Sequence, residues 1–246
     1  MKYKFRGSYS PKSIKKFQKA QEEDLTKVCK YLHTKNNKAN NISFAVFDTR
    51  ESKQDSDPNH SISRASARFD EMKIYRCWLP DEDPHYPHEI VHLVAHTWAK
   101  PYSLKIELDT AYGTKVTKKI EMLSTSFMQE GLAIAVDDIV FARKLLEEGE
   151  MKHIDDWCRE QIDKIPVNLR SVINIDGFGS LPNKTVVPFS ASLSKFLLNE
   201  FGLNKYKKIY VKIKETLLPE ENVRIIEKEY QQSEDKLINN WRKSIT

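Results

Sequence analysis

His88, Glu89 and His92 form H-E-I-V-H within the stretch P-H-Y-P-H-E-I-V-H-L-V-A-H-T-W, from Pro84 to Trp98. Residues four apart on an α-helix are displaced by about 40° around its axis, so the two imidazoles look the same way. Two neutral imidazoles on one helix face are two legs of a zinc site. The carboxylate beside the first can reach a water on the metal rather than the metal itself. Asp83 reads as an N-cap, Pro84 suits the first helical position, and Pro101 prevents continuation after Trp98. A zinc hydrolase of this kind needs one further protein ligand and leaves the fourth position open for water.

The chain offers three candidates for that ligand. His96 extends the same helical stripe, but three ligands along one straight helix cannot surround a metal tetrahedrally. Trp98 occupies the position at which the metzincin pattern would place its histidine. His96 therefore reads as a residue that supports a ligand from behind or simply packs, and His85, outside the register of the pair, as a surface residue. Glu130, in F-M-Q-E-G-L-A-I-A, is the better candidate: it lies among small and apolar residues, and Gly131 and Ala133 would let its helix approach the metal helix.

The elements that must position these residues follow from composition and periodicity. With 246 residues, 39% hydrophobic and 30% charged, the chain is long enough for a sizeable core. A net charge of +5, from 40 basic and 35 acidic residues, is too balanced to demand nucleic acid or a membrane surface. Lys12 to Lys19 and Lys205 to Lys214 leave a basic-helix adaptor for nucleic acid as a weaker reading. No apolar run approaches the roughly 20 residues of a membrane span. The N-terminus M-K-Y-K-F-R-G-S-Y-S has no signal-peptide h-region, so cytoplasmic is the default, although a leader already removed would leave the same sequence. Cys29, Cys77 and Cys158 are too sparse for a disulfide framework or a thiolate zinc site and read as buried small hydrophobes.

A helix opens at Ser10-Pro11, with Phe17, Leu25, Val28, Cys29 and Leu32 on its apolar face. Strands are expected at 42–48, 62–69 and 73–79, with a polar loop over 49–61. A hairpin or an insertion fits 102–119. A long helix is expected over 121–148 with Gly149 at its C-terminal cap, and a shorter helix over 152–165. Residues 166–188 read as loop-rich. Helices follow over 189–201, 203–217 and 219–245. The expected fold is α+β: a small mixed sheet packed on the metal helix, followed by a mostly helical C-terminal lobe.

H-E-I-V-H followed by S-F-M-Q-E-G-L-A resembles the gluzincin branch of zinc metallopeptidases, and more narrowly the compact peptidase-MA-like domains. F-S-A-S-L-S-K-F-L-L-N-E-F-G-L-N-K-Y and E-D-K-L-I-N-N-W-R-K-S-I are similar to their later helices. The resemblance covers about residues 42 to 245. It implies a zincin-like catalytic domain over 41–245, with sheet and metal helix in 41–100 and a helical lobe in 120–245, after an N-terminal helical extension over 1–40. It further implies one Zn2+ held by His88, His92 and Glu130, Glu89 as general base, and hydrolysis of a peptide or protein substrate by endopeptidase action. Asp137 or Asp138, two turns beyond Glu130, would orient a ligand imidazole or serve polar surface. Where many relatives carry tyrosine this chain has Phe189, so the oxyanion donor must come from elsewhere, with Tyr112, Tyr206 and Tyr210 as candidates. The same departure motivates the alternative of a catalytically inactive metal- or peptide-binding module of this fold.

Overall fold

The computed structural model describes residues 1–35, 41–57, 63–109, 115–147, 149–165 and 168–246. It is a mixed α/β chain with small sheets, compatible with the α+β expectation. The chain divides into two compact units, Met1–Thr97 and Trp98–Thr246. No helix of the described residues is long and apolar enough to cross a membrane.

The first unit is built on a four-stranded sheet. β1 (Lys2–Arg6), β2 (Ser43–Phe47) and β4 (Lys73–Cys77) run parallel, and β3 (Ala65–Arg68) closes the edge antiparallel to β4, giving the order β1-β2-β4-β3. The inner strands S-F-A-V-F and K-I-Y-R-C are buried over four of five positions, as strands covered on both faces must be. β1 has no counterpart among the strands expected from the sequence. Its alternation of Lys2, Lys4 and Arg6 with Tyr3 and Phe5 marks an edge strand with charged residues turned outward.

α1 (Pro11–Tyr31) is capped by the Ser10 side chain, which accepts from Ser13 N–H, and carries Pro11 at its start. Its fully buried Phe17 meets Phe44 edge-on at 5.9 Å and Trp78 at 4.9 Å. Residues 1–35 thus belong with the sheet rather than hanging ahead of it. On the other face Ala45, Phe47 and Tyr75 cluster. The expected polar loop at 49–61 instead begins with α2 (Arg50–Ser56), since the Thr49 side chain caps Ser52 N–H and nucleates a short helix. The H-E-I-V-H segment lies on α3 (His88–His96), packed on α1, β3 and β4.

In the second unit, β5 (Tyr102–Asp109) pairs antiparallel with β6 (Lys115–Met122); Tyr112 and Gly113 lie outside the described residues. α4 (Ser126–Phe141) carries Glu130. It is shorter than the sequence suggested, because the chain turns left-handed at Ala142 (φ 50°) and forms the hairpin β7 (Leu145–Glu147) and β8 (Glu150–Lys152). Gly149 (φ 85°) therefore serves that hairpin and caps no helix. There follow α5 (Ile154–Glu160), α6 (Ile175–Ser180), α7 (Asn183–Phe201), α8 (Leu203–Tyr210), α9 (Pro219–Tyr230) and α10 (Glu234–Ile245). Pro188, read as loop, lies inside α7. Gln231 (φ 56°) and the Ser233 cap split the expected last helix into two.

Phe189 is fully buried, 5.4 Å from Phe127 and 4.9 Å from Trp241. Trp241 donates its indole N–H to Ser192 Oγ at 2.9 Å. All three cysteines are buried free thiols, as expected of small hydrophobes.

Candidate metal centre

α3 starts one turn later than the sequence suggested. Tyr86 precedes Pro87, and the residue before a proline is turned away from helical geometry, so the helix opens only at His88. Asp83 instead accepts from the His85 N–H within the entering segment. From Ile90 to Ala95 the helix is buried throughout, with Glu89 and His92 at 8% and 7% exposure. His88 and His92 face each other as their spacing requires, with Nε2···Nε2 at 3.1 Å. Two nitrogens each about 2.0–2.1 Å from a tetrahedral ion stand about 3.3 Å apart, so the pair fits a shared metal.

Glu130 stands in the first half of α4. One donor atom from each of His88, His92 and Glu130 lies within 4.8 Å of the others, close enough to bind one metal ion. The donor set of two imidazoles and a carboxylate suits zinc-like divalent ions.

The remaining sequence candidates separate. His96 stacks flat on Phe69 at 4.4 Å, and Phe69 also lies edge-on to His92 at 6.5 Å. His85, read as a surface residue, is instead paired through Nδ1 with the fully buried Asp24 at 2.7 Å. Asp138 pairs with Lys195 at 2.7 Å and His153 at 3.1 Å, a polar cluster that Asp155 joins through Lys195. Asp137, seven residues after Glu130, shares its helix face. Tyr206 is fully buried and donates to Ser194 Oγ at 2.9 Å. The Tyr210 hydroxyl is held well above the ordinary phenol pKa by burial, then by Tyr206, the Glu130 charge and Tyr102. Gly131 serves a different approach from the one expected: a Cβ there would meet the Ser190 carbonyl oxygen and Ser194 Oγ on α7, each at 2.5 Å.

The lysines of the basic segment are largely engaged within the chain. Lys205, Lys207 and Lys214 lie over the rings of Phe201, Trp98 and Tyr102. Lys208 and Lys212 pair with Glu229.

The start of α4 is fixed by a residue that sequence reasoning missed. Thr125 makes no side-chain cap; Glu215 supplies the acceptor instead, taking Ser126 N–H at 2.5 Å on one oxygen and Ile175 N–H of α6 at 2.7 Å on the other. Burial raises the Glu215 pKa although these N–H groups oppose the rise. A carboxyl with a raised folded pKa binds its proton more tightly when folded. Its contribution is therefore greatest below the ordinary glutamate range and falls as pH rises out of it. Glu215→Gln is expected to flatten that part of the pH profile of Tm. A variant profile parallel to the wild type's would refute the assignment.

Compared with known proteins, the chain matches no family model, no curated protein and no solved structure.

Proposed function

We propose that the protein is a zinc-dependent metallopeptidase of gluzincin type with a zincin-like fold. The observation that carries this reading is that donor atoms of His88, His92 and Glu130 lie within 4.8 Å of one another, with Glu89 next to His88 in the chain. His88, His92 and Glu130 would hold the zinc, which when bound polarises a carbonyl and lowers the pKa of a water toward about 7. Glu89 then takes the proton of the attacking water and delivers it to the leaving amine. Asp137 is the remaining acidic candidate for a supporting hydrogen bond to the ligand set. Of the tyrosine candidates, Tyr206 is engaged with Ser194, which leaves the Tyr210 hydroxyl as the one to test as a donor to an oxyanion. β3 is an edge strand against α3, and Phe69 just beyond it touches the metal helix. An extended substrate adding to that edge would run alongside the ligands.

Phe189 supports a second reading, a metal-binding module that holds peptides without cleaving them. Its ring is locked between Phe127 and Trp241 and offers no hydroxyl.

Metal analysis and peptide turnover separate the two. The peptidase is expected to purify with one zinc per chain, lose peptide cleavage on chelation and regain it with zinc. Stoichiometric zinc without cleavage across a peptide library would favour the inactive module, and absence of zinc binding would reject both.

A further inference from the structure

The first contacts of the metal helix are made from a part of the chain that the motifs do not touch. Asp24, on α1 and fully buried, accepts from the His85 ring at 2.7 Å with one oxygen and from the Tyr86 N–H at 3.0 Å with the other. One turn earlier Gln21, also fully buried, donates to the Pro84 carbonyl at 2.5 Å. Arg76 of β4 donates to the same carbonyl at 2.7 Å and to that of Asp83 at 3.2 Å, with its guanidinium 5.0 Å from the centre of the Tyr86 ring. The Tyr86 ring in turn stands 6.1 Å from the imidazole of His88.

These contacts cover four consecutive residues, Asp83 to Tyr86, immediately before Pro87 and the first ligand. The segment is neither helix nor strand, so regular backbone pairing does not define its path. A buried carboxylate costs free energy unless hydrogen-bonded, and here both oxygens are used on this one segment. The side chains involved come from α1 and β4, so the entry of α3 is referenced to the sheet and to the helix over it.

We propose that Asp24 is a positioning residue for the metal centre: through His85 and the Tyr86 N–H it fixes the angle at which α3 leaves Pro87, and hence the direction of the His88 imidazole. This rests on the metal reading above. It makes α1 part of the site's machinery, although α1 contributes no ligand. Groups that orient metal ligands typically change metal affinity by 10–100-fold when removed.

The test uses the full chain. Zinc affinity is measured by chelator competition, and hydrogen exchange of residues 83–88 is measured in the metal-free protein. Asp24→Asn keeps the shape and removes the charge; His85→Ala removes one partner at a half-buried position. Asp24→Asn is expected to weaken zinc by roughly tenfold and speed exchange at 83–88, with β2 exchange unchanged. His85→Ala is expected to show a smaller loss of the same kind, and it decides the matter alone if Asp24→Asn does not fold. Wild-type zinc affinity in the folded variants overturns the role of Asp24. A wild-type protein that binds no zinc overturns the metal reading itself, before any variant is compared.

Discussion

Replacing Glu89 by glutamine is expected to leave zinc content unchanged and to reduce peptide turnover by roughly 10³-fold, about 4 kcal/mol of transition-state stabilisation. Glutamine matches glutamate in shape and hydrogen-bonds in the same place, but it cannot accept and return a proton. The position makes the substitution clean. Glu89 is 8% exposed, on a helix whose next six residues are packed, so the backbone holding His88 and His92 has no reason to move. One residue along a helix is a rotation of about 100°, which sets the carboxylate beside the ligand face rather than on it. The loss should therefore fall on kcat with KM little altered, as for an interaction made only in the transition state. Glu89→Asp, which keeps the base but shortens its reach, should lie between the two. Steady-state kinetics on a cleaved peptide, with zinc measured on the same samples, decides it. Wild-type turnover in a zinc-loaded Glu89→Gln protein would remove Glu89 from the mechanism.

How much of this was legible in the sequence depends on the range of the interactions. The His88–His92 pair follows from helical periodicity alone, and Glu130 from the small-residue context around it; both are local patterns. Asp24 and Gln21 are also visible, in a weaker way. They sit in the apolar stripe of α1 between Phe17, Ala20, Leu25 and Val28, where a polar residue has to find a buried partner. What the sequence does not say is which partner, because Asp24 reaches His85 across 61 residues. Glu215 is similar: a glutamate in a Lys-rich turn gives no sign that it caps two helix starts in place of their own N-cap residues. The helix boundaries were lost for a different reason. α4 ends where Ala142 turns left-handed, a conformation usually marked by glycine, while the glycine that is present serves the following hairpin.

The second large effect is expected at Gly131. Its substitution by alanine should destabilise the fold by about 3 kcal/mol, the upper part of the range for overpacking, and lower Tm by roughly 6–12 °C for a chain of this size. The added methyl would stand 2.5 Å from the Ser190 carbonyl oxygen and 2.5 Å from Ser194 Oγ. The first is α7 backbone and cannot rotate away. The second accepts the Tyr206 hydroxyl at 2.9 Å, so moving it breaks a buried hydrogen bond. α4 and α7 must separate instead, and Glu130 precedes Gly131 directly in the chain, so zinc affinity should fall together with Tm. Gly179→Ala is the control: nothing lies within 4 Å of a Cβ at that position, and removing a glycine there should leave stability equal or slightly higher. Thermal melts of the metal-free proteins separate packing from metal binding, since the clash exists without the ion. If Gly131→Ala and Gly179→Ala melt together, α4 and α7 are not in the close contact that the Ser190 carbonyl and Ser194 Oγ define around Gly131.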